Sequence, residues 1–352
     1  MEKLLILNPG STSTKIAYYE GTTEIWKESI THSREEIAKY ANIPDQLDMR
    51  YNLILDAMNK HGVEAKNLTA VVSRGGPIAP FKSGGYIVNQ AMVDKAANNP
   101  QDAHASNVGC MIAFKMAQEN GYNAYIYDAV TVDEVLPEYR ITGHPDMERV
   151  GQGHNLNMRA AALKYCKENG KDYAKSTLIV VHLGGGISVS LQKDGLIADI
   201  VNDEDGTFAP ERAGSLPMVQ FMKYCYSHEQ KDTYKMLKGK GGIVAHLGTN
   251  DSREVEKMIE DGDKHAELVY KAMAINVAKA VGREAVLAPK QIEQIVLTGG
   301  IAYSKMFTQW IKDAVDWIAP VTVIPGENEM IALAEGACRI IRGEEEAHVY
   351  EG

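Results

Sequence analysis

Two stretches of this chain, half its length apart, have the same form. Leu4-Leu5-Ile6-Leu7-Asn8-Pro9-Gly10-Ser11-Thr12-Ser13-Thr14-Lys15-Ile16-Ala17 is an apolar run, a turn of small residues and a second run of strand character. Leu178-Ile179-Val180-Val181-His182-Leu183-Gly184-Gly185-Gly186-Ile187-Ser188-Val189-Ser190-Leu191 repeats it. Asn8 falls against His182, an offset of 182 − 8 = 174 residues in a chain of 352. Repetition at half the chain length marks a duplicated domain. At roughly 100 to 200 residues per domain, the length also calls for two.

Further apolar runs at Thr69–Ser73, Ala124–Tyr127, Gln294–Thr298 and Val321–Ile324 read as buried strands. Between them lie helical patterns. In 263–287, Ala274, Val277, Ala278, Val281 and Ala285 line one face. The expected class is mixed α/β, with sheets flanked by helices.

A turn of small residues between two strands exposes backbone N–H groups that can cradle phosphate. Asn8, Gly10, Ser11, Ser13 and Lys15 are candidates in the first turn, and Gly184, Gly185 and Gly186 in the second. Gly299 and Gly300 form a third, after the strand Ile295–Thr298, where backbone can approach a flat ligand closely. None is a P-loop, which ends in Gly-Lys-Ser/Thr before a helix, and none has the spacing of the dinucleotide fingerprint.

Composition limits the partners. Lys+Arg 37 against Asp+Glu 47 gives a net charge of −10. That excludes the broad basic surface which nucleic acid requires, and leaves phosphate to be bound locally. The four cysteines, Cys110, Cys166, Cys225 and Cys338, form no Cys-x-x-Cys pair and read as reduced, buried thiols. With neither a leader nor a membrane-length apolar run, the expected location is the cytoplasm.

The motifs Asn8–Lys15, Val71-Val72-Ser73-Arg74-Gly75-Gly76, His182–Gly186, Pro210-Glu211-Arg212-Ala213-Gly214-Ser215 and Leu297–Ile301 together resemble those of the acetokinase group, and within it the members that phosphorylate butyrate. That group belongs to the actin, Hsp70 and sugar kinase superfamily. The resemblance extends to Ile324–Ala332 and so spans nearly the whole chain. It implies two duplicated actin-like (ribonuclease H-like) domains with ATP in the cleft between them. One would comprise 1–152 with 330–352, on the acyl side, and the other 153–329, on the nucleotide side. It also implies a homodimer or larger assembly.

The implied reaction is reversible phosphoryl transfer between ATP and a small carboxylic acid, giving an acyl phosphate and ADP, with Mg²⁺ on the phosphates. Arg74 and Arg212 match the group's two arginines, whose planar forks suit carboxylate and phosphate oxygens. Asp128 resembles the aspartate of its Phe-Asp-Thr motif and Glu329 the glutamate of its Asn-Glu motif, both implied at the metal; Glu327 is the alternative to Glu329. His104, in 101–107, resembles a substrate-side histidine. His182 and His154 stand where donors to the transferring group are implied. Acetate kinases carry two histidines around the position of His154, and only one is present here. They also have bulkier residues where Gly75 and Gly76 follow Arg74. The expectation is that these glycines enlarge the acyl pocket for a four-carbon acid, butyrate or isobutyrate, each buried methylene adding about 0.8 kcal/mol. A sugar kinase, or a nucleotide-binding protein of the actin or Hsp70 type, is the alternative class.

Overall fold

β-Branched and aliphatic runs form strands because their side chains fill a pleated surface covered on both faces. The computed structural model describes residues 1–98, 104–204 and 206–352, and each run named above is a strand in it. Among the described residues the strands are β1 (Lys3–Pro9), β2 (Ser13–Glu20), β3 (Thr23–Thr31), β4 (Ala70–Arg74), β5 (Gly85–Ile87), β6 (Asn123–Tyr127), β7 (Thr177–Leu183), β8 (Ile187–Lys193), β9 (Leu196–Val201), β10 (Gln294–Gly299), β11 (Val321–Pro325) and β12 (His348–Val349).

The chain divides into two compact units. One comprises Met1–Asp133 with Asn328–Gly352, the other Glu134–Glu327. In the first, a seven-stranded sheet runs β12-β5-β6-β4-β1-β2-β3, with β1 antiparallel to β2 and parallel to β4. Helices Ala105–Asn120 and Glu329–Ile341 pack on β1, β4 and β6. The acidic run 344–346 reads from sequence as a solvated end. Instead, the Glu345 carboxylate pairs with Arg339 at 3.0 Å and accepts from the Tyr127 hydroxyl, and β12 then joins the sheet beside β5.

The second unit has a five-stranded sheet ordered β11-β10-β7-β8-β9. Its pairing repeats the β6-β4-β1-β2-β3 part of the first: β7 is antiparallel to β8 and parallel to β10. β1 and β2 begin at residues 3 and 13, and β7 and β8 at 177 and 187, each 174 later. The sequence echo is therefore a structural repeat. Side chains alternate across β7. Ile179, Val181 and Leu183 join the core under helix Lys264–Ala285, whose Val269, Met273, Val277 and Val281 face them. His182, of opposite parity, faces helix Asn155–Glu168.

Two expectations change here. The first division falls at 133/134 and not 152/153, because 134–152 is tied to β9. The Leu136 amide donates to the Ala198 carbonyl, the Ile197 amide to the Glu134 carboxylate, and Arg149 pairs with Asp199 at 2.9 Å. The second division places Glu329 in the first unit and Glu327 in the other. Of the cysteines, Cys225 is exposed while the other three are buried. It ends helix Met218–Cys225, which buries none of its residues.

Candidate functional site

In the first unit, the parallel strands β1 and β4 end side by side, with Leu7 opposite Ser73. Asn8 and Arg74 therefore emerge close together. Both reach Glu329, the first residue of helix Glu329–Ile341. Arg74 Nη1 lies 3.1 Å from Glu329 Oε1, and Asn8 Nδ2 donates to Oε2 at 2.6 Å. A guanidinium shared between one carboxylate and its surroundings keeps N–H groups to offer an incoming oxyanion.

The turn between β1 and β2 is closed by the Gly10 amide donating to the Ser13 carbonyl at 2.7 Å. Ser11, Thr12 and Lys15 are exposed around it. Beneath lies Arg50, from helix Leu47–Lys60, only 1% exposed. Sequence pattern carries no signal for it, since an arginine in an amphipathic helix 40 residues from its target looks like any surface charge.

Asp128 follows β6 and is buried at 3% exposure, with φ 42°. Its amide donates to the Gly84 carbonyl at 3.0 Å and its Oδ1 accepts from the Gly84 amide at 2.7 Å. A non-glycine residue holds this left-handed conformation only where its surroundings fix it. His104 caps helix Ala105–Asn120, Nδ1 accepting from the Ser106 amide at 3.2 Å. Residues 101–103 of its motif lie outside the described residues.

The glycines after Arg74 do not open a pocket. A Cβ on Gly76 would stand 2.0 Å from Asn107 Oδ1 and 2.8 Å from the Asn107 amide nitrogen; one on Gly75 would stand 2.5 Å from the Ala129 Cβ. The space a side chain would take is already filled by the start of helix Ala105–Asn120 and by the Ala129 turn. The expectation of an acyl pocket enlarged by Gly75 and Gly76 is corrected accordingly: these glycines permit close packing.

In the second unit, His182 is 3% exposed and stacks on His154, ring centroids 3.9 Å apart and planes within 7°. Asn157 Nδ2 donates to His182 Nδ1 at 2.9 Å, which leaves the proton on Nε2, facing Glu327 Oε1 at 3.9 Å. His154 Nδ1 lies 3.0 Å from Ser188 Oγ. Arg212 pairs through Nε with Asp203 Oδ2 at 3.3 Å. Asn157 and Asp203 are partners that motif spacing does not single out, being ordinary polar residues until the fold brings them in.

Gly184 and Gly185 border a cavity of about 640 Å³, completed by Pro210, Asn250–Arg253, Glu256, Gly300–Ile301, Tyr303–Ser304 and Glu327. The Gly185 carbonyl accepts from the Glu211 amide at 3.0 Å, and the Glu211 carboxylate takes the Asn250 side-chain amide. The second and third glycine turns thus meet at one cavity, of a size that takes a nucleoside. The Arg253 guanidinium at its rim holds the Asp251 carboxyl down to about 2.

The architecture matches a solved structure. The crystal structure of Porphyromonas gingivalis acetate kinase superposes with a TM-score of 0.80 at 16% identity, covering 96% of this chain and 99% of that one. The fold is thus the actin-like one of two mixed sheets flanked by helices, as expected. In sequence, the model of the acetokinase family matches residues 154–315. A probable butyrate kinase of Clostridium botulinum (strain Alaska E43 / Type E3) is 43% identical over 352 residues, 99% of each chain. Probable butyrate kinase 2 of Caldanaerobacter subterraneus subsp. tengcongensis is 44% identical over 353 residues, 99% of this chain and 100% of that one. The chain belongs to the acetokinase family. It is an ATP-dependent carboxylate kinase. Among the described residues, no helix is long and apolar enough to cross a membrane.

Proposed function

We propose that the protein transfers the terminal phosphoryl group of ATP to butyrate, giving butyryl phosphate and ADP, and catalyses the reverse. The observation that carries this is the nucleoside-sized cavity at two glycine turns of the second unit; the first unit separately holds the Asn8–Arg74–Glu329 cluster. The cavity suits the nucleotide and the cluster the acid. The full-length likeness to proteins named as butyrate kinases favours a four-carbon acceptor.

A butyrate oxygen attacks the terminal phosphorus, the bond to the bridging oxygen breaks, and ADP leaves with that electron pair. The carboxylate is already ionised near neutral pH, so no general base is required. What the protein supplies is orientation and charge for an in-line transition state. Arg74, held by Glu329, orients the carboxylate; Arg212 and the His182 Nε2 proton balance charge on the moving group. No phospho-enzyme forms.

Mg²⁺ takes few protein ligands and would supply charge neutralisation to the phosphates, with Asp128 and Glu329 as the carboxylates that would hold it. Asp128 fits a place near it: its carboxylate is buried, hydrogen-bonded and fixed in a strained conformation. Glu329 is the second carboxylate we assign to that ion. We place the enzyme in the cytoplasm as a homodimer or larger homo-oligomer.

Incubation with Mg·ATP, hydroxylamine and a series of acids decides the reading. Butyrate should give more hydroxamate than acetate or propionate, and isobutyrate in excess of butyrate would shift the assignment to branched acids. No hydroxamate from any acid, with a hexose phosphorylated instead, would refute it.

A further inference from the structure

The Arg50 guanidinium is built into the underside of the first glycine turn. Nη1 donates to the Gly10 carbonyl at 3.0 Å, the Ser13 carbonyl at 3.3 Å and Thr14 Oγ1 at 2.9 Å. Nη2 donates to the Ser11 carbonyl at 3.3 Å. Gln46 Oε1 accepts from both Nε, at 3.0 Å, and Nη2, at 2.9 Å, and so fixes the plane of the fork. Thr14 Oγ1 also meets His32 Nε2 at 2.8 Å.

Two consequences follow from elementary geometry. In a trans peptide the C=O and the next N–H point in opposite directions. Drawing the Gly10 and Ser11 carbonyls inward therefore turns the Ser11 and Thr12 amides outward. Both residues are exposed, and among the described residues neither amide donates to a protein acceptor. Secondly, none of the groups bonded to Arg50 is a carboxylate, and a buried cation without a counter-ion is costly. Its charge stands directly behind two outward N–H groups, an arrangement that an anion in front of the turn completes.

We propose that Arg50 is a positioning residue for phosphoryl transfer: it presets the Ser11 and Thr12 amides as a phosphate cradle and supplies the cradle with positive charge from below. This rests on the reading that the first turn receives phosphate. A guanidinium is needed for it, since four acceptors around the turn and the Gln46 oxygen require a planar fork with several donors. Lysine would restore the charge without the geometry.

The full-length protein and its Arg50→Met and Arg50→Lys variants are compared by amide hydrogen exchange of the 10–14 segment with and without Mg·ATP, by steady-state kinetics and by melting. In the natural protein Mg·ATP should slow exchange of that segment. Arg50→Met should lose this protection, show a smaller rise in Tm with Mg·ATP, and fall in kcat on the order of 10²-fold, the usual effect of a lost transition-state donor, with KM for butyrate within about 2-fold. Arg50→Lys should recover part of the loss. A purely structural arginine would lower Tm and leave kcat and protection of the folded fraction intact; that result overturns the proposal. Should Arg50→Met fail to fold, Arg50→Lys and Gln46→Ala decide it, and natural kcat and protection in both would overturn it. Absence of protection in the natural protein would instead refute the phosphate-binding turn, and the proposal with it.

Discussion

Replacing Gly76 by alanine separates two accounts of the residues that follow Arg74. The added Cβ would lie 2.0 Å from Asn107 Oδ1, 2.8 Å from the Asn107 amide nitrogen and 2.9 Å from Ser106 Oγ. Asn107 Oδ1 can swing aside, but the amide belongs to the first turn of helix Ala105–Asn120, where Ser106 and Asn107 are each 1% exposed. Relief requires the strand end or the helix to move by several tenths of an ångström. Overpacking of this kind costs about 1–3 kcal/mol. For a domain of 150–250 residues each kcal/mol lowers Tm by roughly 2–4 °C, so a fall of roughly 2–12 °C is expected. Because Arg74 precedes Gly76 by two residues, kcat should drop by a similar factor with acetate, propionate and butyrate. Calorimetry together with kinetics on the three acids measures both. An unchanged Tm with a raised KM for butyrate alone would refute the packing argument and restore these glycines to an acyl pocket.

Further expectations concern charged groups. Arg74→Ala and Arg212→Ala should each lower kcat on the order of 10²-fold or more while changing KM less, because their bonds strengthen in the transition state; natural kcat in either removes that arginine from the chemistry. Glu329→Gln keeps the shape but loses the charge that anchors Arg74 at 3.1 Å and that we assign to Mg²⁺, so it should raise both KM for butyrate and the Mg²⁺ concentration for half-maximal rate, which initial-rate kinetics will read. Asp128→Asn should raise the Mg²⁺ concentration for half-maximal rate several-fold; an unchanged requirement removes Asp128 from the metal. Glu284 is fully buried on helix Lys264–Ala285, and burial, with the nearby Asp199 carboxylate, pushes its carboxyl from the ordinary 4.5 up to about 8. The folded state then holds a proton that the unfolded chain releases above pH 4.5, so stability falls between pH 4.5 and 8, by at most about 1.4 kcal/mol per pH unit. Glu284→Gln should therefore raise Tm more at pH 8 than at pH 5, and an equal gain at both would contradict the assignment.

Much of the protein is legible in its sequence because its strands are short, buried and bounded by glycine. Period and composition suffice to find β1, β4, β6, β7, β10 and β11, and the 174-residue offset carries over from Asn8 and His182 to the strands themselves. Motif residues such as Arg74 and Arg212 are local in the same sense, since each sits at a recognisable strand end or turn. Long-range contact alone decided the rest. Arg50 reaches under the turn 40 residues away, and Asn157 fixes the His182 ring across 25 residues. Glu329 joins Asn8 across 321, although Glu327, two positions earlier, faces His182 in the other unit. Gly75 and Gly76 look the same in sequence whether a ligand or a helix fills the space beside them. Sequence pattern reports what a residue does to its own strand or helix; which groups share a buried position is set by how those elements pack, and that appears only in the folded chain.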